Sequence, residues 1–258
     1  MNDGILIPRI SSTAVRFWRW YFRRSLTSAF FAVYSIGEPQ LQPIFRHSAE
    51  QNIPIIFYAT HGGWWDAALA IHFSLNRFRR TTYGLMEYKQ LVKYKFFTKI
   101  GMLSIVRENA RSALTSISIA ANLIQNTGSL FWIFPQGEIV HQDKGAIEVF
   151  PGLSLLLRAC RKAYCIPVSM RYDFLQEQRP EAFIRFGKPE LIVWDGSHSI
   201  QEMTEIFRQQ LAAEAMENRH AVIGDVTSGY EKILDGTLSM EKVFDRVKKQ
   251  FSFSRNHD

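Results

Sequence analysis

Cysteine is almost missing from this chain. Only Cys160 and Cys165 occur among 258 residues, too few for a disulfide framework or a four-cysteine zinc site. A reducing compartment is compatible with that count. Long apolar runs are missing as well. Ser25 to Gly37 is uncharged but shorter than the roughly 20 apolar residues that a spanning helix needs. The longer uncharged run, Ser112 to Gly137, is interrupted by Asn122, Gln125, Asn126 and Gly128, so it reads as a helix, a turn and a buried strand. No cleavable signal peptide is expected, because charges break the first apolar stretch and no small-residue cleavage pattern follows it. There is no internal repeat, low-complexity tract or obvious linker.

Familiar nucleophile machinery is also lacking. The sequence has no Gly-x-Ser-x-Gly elbow, no phosphate loop ending in Gly-Lys-Ser/Thr and no His-Glu-x-x-His zinc helix. A covalent serine mechanism is therefore unsupported. Cys160 and Cys165 fall in a helix-to-strand stretch and read as inert packing residues.

Apolar residues, by contrast, are plentiful: 47% of the chain is hydrophobic, enough to build a sizeable core. The net charge of +7 points to a negatively charged partner, either nucleic acid or an anionic membrane surface. Placed 100° apart on a helix, Arg16, Arg19, Arg23 and Arg24 share one side, while Phe17, Trp18, Tyr21 and Phe22 share the other. Trp20 falls among the arginines. With the following Ala29 to Tyr34, this stretch reads as an in-plane membrane anchor, with an ordinary packed helix as the alternative. Interleaved arginines and aromatics also suit RNA, but no nucleic-acid recognition signature accompanies them, and no nucleic-acid partner is expected.

From residue 53 onward, short apolar runs alternate with helix-like stretches, the pattern of an α/β fold. Strands are read near Ile53 to Ala59, Thr81 to Met86, Leu103 to Val106, Ser129 to Phe134, Cys165 to Arg171 and Ala182 to Phe186. Helices are read at Asp66 to Leu75, Lys89 to Lys99, Arg111 to Gln125, Leu153 to Ala163, and residues 199 to 217 and 239 to 250. The basic, aromatic stretch Lys89 to Lys99 reads as a solvated helix face, with contact to headgroups or an anionic donor as the alternative. The expected architecture is α/β, a single mixed sheet flanked by helices, in residues 45–258. An amphipathic helical membrane-anchoring segment precedes it in residues 1–44.

Four constellations carry candidate chemistry. In Thr60-His61-Gly62-Gly63-Trp64-Trp65-Asp66 a continuous helix would set His61 and Asp66 about 140° apart. A glycine turn with Asp66 opening the next helix would instead bring carboxylate and imidazole together. Asp66 would then fix the tautomer of a basic His61. On spacing alone, a capping aspartate and an ordinary loop histidine are the commoner explanation of such a pair, so other residues must decide. Gly101 to Arg107 is a glycine opening a strand that ends in an arginine, whose planar fork suits phosphate. Phe134-Pro135-Gln136-Gly137-Glu138 stops an apolar strand at a sharp loop. Ile166-Pro167-Val168 places a proline within a strand, which marks an edge strand or a functional strand end.

In this order the four blocks resemble the glycerolipid acyltransferase family that includes lysophosphatidate acyltransferases, over roughly residues 45 to 190. His61 and Asp66 match its His-x4-Asp block, and Gly101 and Arg107 its second block. Phe134, Pro135 and Gly137 match most of its third block, and Ile166, Pro167 and Val168 its fourth. The resemblance implies direct transfer of a fatty acyl group from a thioester, acyl-CoA or acyl carrier protein, to an acceptor hydroxyl deprotonated by His61. No metal, cofactor or acyl-enzyme is implied. Acceptor binding is implied for Gly101, Arg107 and the Phe134 to Glu138 loop, and substrate contact for Ile166, Pro167 and Val168. Backbone amides of the glycine turn are candidates for stabilising the thioester oxyanion.

Gln136 stands where the family usually has glutamate, Glu138 where threonine is common, and Ile139 where arginine often follows. These departures put the expected acceptor, 1-acylglycerol-3-phosphate or a related lysophospholipid, in question, since Glu138 would repel a phosphate that it faced. Trp64-Trp65-Asp66, the Gln136-Gly137-Glu138 run and Arg171-Tyr172-Asp173-Phe174 are similar to a subgroup that includes carotenoid-glycoside acyltransferases, which implies a sugar hydroxyl as the alternative acceptor. A non-catalytic membrane-binding module is a further reading. The expected location is the cytoplasmic face of a membrane.

Overall fold

A computed structural model describes residues 5–224 and 227–237. Helix α1 (Ser12–Ala29) leads into β1 (Ala32–Ile36), α2 (Leu41–Gln51) and β2 (Ile55–Ala59). Then come α3 (Trp65–His72), extended by a π-helical turn over Phe73–Phe78, β3 (Thr82–Glu87), α4 (Tyr88–Lys93), a 3-10 stretch (Lys95–Ile100) and β4 (Met102–Ile105). The chain continues through α5 (Ala110–Ile124), β5 (Leu130–Ile133), α6 (Gly152–Cys160), β6 (Lys162–Asp173), β7 (Glu181–Phe186), β8 (Glu190–Val193), α7 (Ile200–Ile223) and β9 (Glu231–Asp235).

The strands form one mixed sheet in the order β4-β3-β5-β2-β6-β7-β1-β9, with β8 on the first part of β6. From β4 to β6 all neighbours are parallel. β7 and β8 run antiparallel to β6, β1 lies parallel to β7, and β9 closes antiparallel on β1. The α/β sheet flanked by helices is thus as expected.

Helices cover both faces, which is why β2 is apolar at every position rather than alternating. Ile55, Phe57 and Ala59 face one layer with Trp132, Ile166, Val168 and the buried stripe of α1. Ile56 and Tyr58 face the other layer with Phe131, Ile133, Leu156 and Phe207. Burial of each such large side chain contributes ~1.5–3 kcal/mol.

Three strands were not anticipated. β1 comes from the stretch read as the end of an anchor: Ala32 and Val33 are buried and pair with Glu181 and Ala182 of β7. The boundary drawn at residue 44 falls inside α2. β8 is only four residues long, and β9 carries just two apolar residues, Ile233 and Leu234, among charged ones. The helix expected over Lys89 to Lys99 breaks at Tyr94 into α4 and the 3-10 stretch. α6 ends at Cys160, and Ala163 belongs to β6. The helix expected over 239 to 250 lies outside the described residues.

Helix α1 buries Phe22 and Leu26, and Trp18 stacks on Phe96 with centroids 4.0 Å apart. Its aromatic side is therefore divided. Trp18 and Phe22 turn inward, while Phe17, Trp20 and Tyr21 stay exposed beside Arg16, Arg23 and Arg24. Among the described residues, no helix is long and apolar enough to cross a membrane.

Candidate active site

In a parallel sheet, ligands collect beyond the carboxyl ends of the strands. Three of the four constellations reach that edge: β2 leads to His61, β4 to Arg107 and β5 to Phe134.

Gly62 and Gly63 reverse the chain after β2, and Asp66 lies in the first turn of α3. His61 Nδ1 lies 2.8 Å from Asp66 Oδ2, and the Gly63 N–H donates to the same oxygen at 2.9 Å. The Tyr172 hydroxyl, from the end of β6, donates to Asp66 Oδ1. Asp66 is wholly buried, whereas 19% of the His61 side chain reaches solvent. Three donors converge on this carboxylate, and the ring nitrogen that faces it, Nδ1, is the one that donates. Nε2 is then the unprotonated ring nitrogen. It has no hydrogen-bond partner among the described residues, and the ring stacks on Phe134 at 4.4 Å. Because its amide is committed to Asp66, Gly63 has no N–H to offer an oxyanion.

Tyr172 was not singled out alone by sequence reasoning. Burial, and after it the charge of Asp66, hold its phenol well above the ordinary tyrosine range, so it remains a donor. Strand alternation carried a signal for it: Ile166, Val168, Met170 and Tyr172 share the face of β6 that packs in the same layer as Phe57 and Ala59.

The Phe134 to Glu138 loop divides its roles. The N–H of Gly137 closes a turn on the Phe134 carbonyl at 3.0 Å, and Pro135 and Gln136 are buried. Gln136 turns inward, and its Oε1 accepts the backbone N–H of His61 at 2.7 Å. The residue expected to meet the acceptor therefore holds the His61 backbone instead. Glu138 is exposed. Gly137 has φ +72, and a Cβ there would lie 2.7 Å from Arg107 Nη1, so the arginine packs directly on the glycine. Arg107 is exposed and has no hydrogen bond or ion pair among the described residues, leaving its five donors free for a ligand.

Two expected contacts have a different physical origin. Gly101 opens β4 at the end opposite Arg107, and a Cβ there would lie 2.0 Å from the Thr82 carbonyl oxygen at φ +107. It serves a close backbone approach, not a ligand. Ile166 and Val168 are fully buried and offer no surface to a substrate. Pro167 sits in an interior strand, where β6 changes partner from β8 to β7. Its carbonyl accepts from Gly187 on that side, and its missing N–H points to the gap between the two partners, which removes the usual penalty.

A shallow depression beside His61 is lined by Thr60, Gly62, Gln136, His141, Lys144 and Arg171. A second depression, about 480 Å³, lies along β8 and the loop after it, away from this chemistry. Both cysteines are buried, and burial pushes the Cys160 thiol up to about 12 and Cys165 up as well, so neither supplies a thiolate. Among the described residues, no three His, Cys, Asp or Glu side chains are grouped as metal ligands.

The sequence model of the Acyltransferase family matches residues 42–171. No curated protein sequence matches the chain. Among solved structures, the fold is similar to the crystal structure of the 1-acyl-sn-glycerophosphate (LPA) acyltransferase PlsC from Thermotoga maritima. The two share 15% identity with a TM-score of 0.56, over 80% of this chain and 79% of that one. The matched segment spans half the chain and holds His61, Asp66, Arg107 and the Phe134 to Gly137 loop, and on that match the chain belongs to the Acyltransferase family.

Proposed function

We propose that this acyltransferase moves a fatty acyl group from acyl-CoA or acyl carrier protein to a hydroxyl of 1-acylglycerol-3-phosphate or a related lysophospholipid. The observation that carries the reading is the 2.8 Å contact between His61 Nδ1 and the buried Asp66 carboxylate, with Nε2 unpartnered among the described residues. Nε2 takes the acceptor's hydroxyl proton as the oxygen attacks the thioester carbonyl. The resulting tetrahedral oxyanion collapses, the C–S bond breaks, and the thiolate leaves with the proton that His61 received. Arg107 grips the acceptor's phosphate through its free guanidinium. The exposed Phe17, Trp20 and Tyr21 beside Arg16, Arg23 and Arg24 support contact with an anionic membrane surface on the cytoplasmic face.

A sugar hydroxyl is the second acceptor reading. Exposed Glu138 favours it, because a carboxylate next to Gly137 opposes a phosphate and accepts hydrogen bonds from sugar hydroxyls.

The test supplies purified protein with labelled acyl-CoA or acyl carrier protein and a mixed lipid extract, then identifies the acylated product. Transfer is expected with wild type and absent from folded His61→Ala. Full activity in that variant would remove the base assignment. Lipid binding without transfer across broad donor and acceptor panels would replace the enzyme reading with a membrane-binding module.

A further inference from the structure

Asp66 is held from a segment more than 100 residues away in sequence. Tyr172 Oη donates to Oδ1, the carboxylate oxygen that His61 does not use. The tyrosine is itself fixed on three sides. Its ring stacks on Phe30 with centroids 5.7 Å apart, and a Cβ on Gly63 would lie 3.5 Å from its Cε2. Its backbone N–H and carbonyl are both held by the Gln142 amide, at 3.0 and 2.8 Å. Gln142 belongs to the same loop as Val140, whose N–H donates to the His61 carbonyl at 2.8 Å. A buried hydroxyl fixed this firmly sets the carboxylate's rotation about Cβ–Cγ and draws part of its charge away from the imidazole.

We infer that Tyr172 is a positioning residue for acyl transfer, holding Asp66 so that His61 keeps its proton on Nδ1 and Nε2 stays free to act as base. The inference rests on the proposed role of His61. Without the hydroxyl, the carboxylate turns its full charge on His61 and favours the protonated imidazole, which cannot accept a proton. The other charged groups nearby do not replace it. From the loop come His141, Lys144 and Asp143; from β6 come Arg171 and Asp173. Arg171 is paired with Asp143 and Asp173, and Asp143 also meets Arg219 of α7. Phe30, Phe134 and Gln136, which close the remaining sides, carry no charge.

Tyr172→Phe preserves the ring contacts and deletes the donor. With acyl-CoA and lysophosphatidate, kcat is expected to fall ~10- to 100-fold, with KM for each substrate within about two-fold of wild type. The acid limb of the kcat profile should move to higher pH. In imidazole NMR, which needs no turnover, the His61 resonances assigned with His61→Gln should titrate at higher pH than in wild type. Tyr172→Leu removes the ring as well as the donor, so its pH limbs should move as in Tyr172→Phe, whereas lower thermal stability with wild-type pH limbs is what a purely structural role would give. An unshifted His61 titration together with unchanged kcat in Tyr172→Phe overturns the inference. If the titration shifts while His61→Ala remains active, the positioning contact stands and the base assignment fails.

Discussion

Gln136 Oε1 accepts the backbone N–H of His61, so the third sequence block holds the first from behind. The amide is 7% exposed, and its partner N–H has no alternative acceptor among the described residues. Gln136→Leu would leave that donor unpaired, at a cost of ~1–3 kcal/mol. It would also let His61 drift from Asp66. Gln136→Glu keeps an acceptor oxygen at the same distance. The expected order in both thermal midpoint and kcat is wild type, then Gln136→Glu, then Gln136→Leu. A leucine variant matching wild type in both measurements would show that the contact contributes nothing.

This relationship also shows what the sequence could and could not disclose. The His61 and Asp66 pairing was legible only beside the other three blocks, because two glycines and a helix start permit the contact without requiring it. The strands around it followed from alternation of apolar runs with helices, but their order in the sheet did not. The direction of Gln136 was not legible, since a loop side chain can turn to either side of a five-residue turn. Tyr172 required knowing that β6 runs parallel to β2 and overhangs its end: Ala59 pairs with Val168, leaving Ser169 to Asp173 beyond. β1 was hidden because a short apolar run after a helix has no period of its own. It became a strand through pairing with β7 and β9, partners that arrive about 150 and 200 residues later.

Two glycines that look alike in the sequence pattern are expected to fail differently. Gly101→Ala drives a methyl into the Thr82 backbone carbonyl, which cannot move without distorting β3. A loss of ~3 kcal/mol or more is expected, seen as poor folding or a large fall in thermal midpoint. Gly137→Ala meets Arg107 Nη1, the far end of a flexible side chain, and the edge of Phe150 at 3.0 Å. Its left-handed backbone costs ~1–2 kcal/mol, and Arg107 must shift. KM for a phosphorylated acceptor should rise several-fold while the donor KM stays unchanged. Equal stability losses in the two variants would contradict this division.

Arg107 separates the two acceptor readings. A guanidinium that forks onto phosphate is not replaced by a single ammonium. With lysophosphatidate, Arg107→Ala is expected to lower kcat/KM ~100-fold or more, and Arg107→Lys by less. With a glycoside acceptor, both variants should stay within a few-fold of wild type. Uniform loss on both acceptors would assign Arg107 to the donor or to the loop it packs against.

His72 provides a stability signature independent of acyl transfer. It is buried at the end of α3, with Nδ1 3.2 Å from Asn76 Nδ2. Burial, then the charges of Arg23 and Arg77, lower its pKa to about 4 from the ordinary 6.5. The folded state therefore holds His72 neutral over a range where the unfolded chain binds a proton. Its contribution is complete above about pH 6.5 and is lost as the pH falls toward 4, amounting to roughly 3 kcal/mol. Thermal midpoints of wild type should fall over that window, and His72→Gln should flatten this part of the decline. The acidic side chains titrate mainly below it, so the slope between pH 6.5 and 5 reports on histidines. An unchanged slope in His72→Gln would mean that another histidine, or a charged and hydrated His72, sets the acid limit.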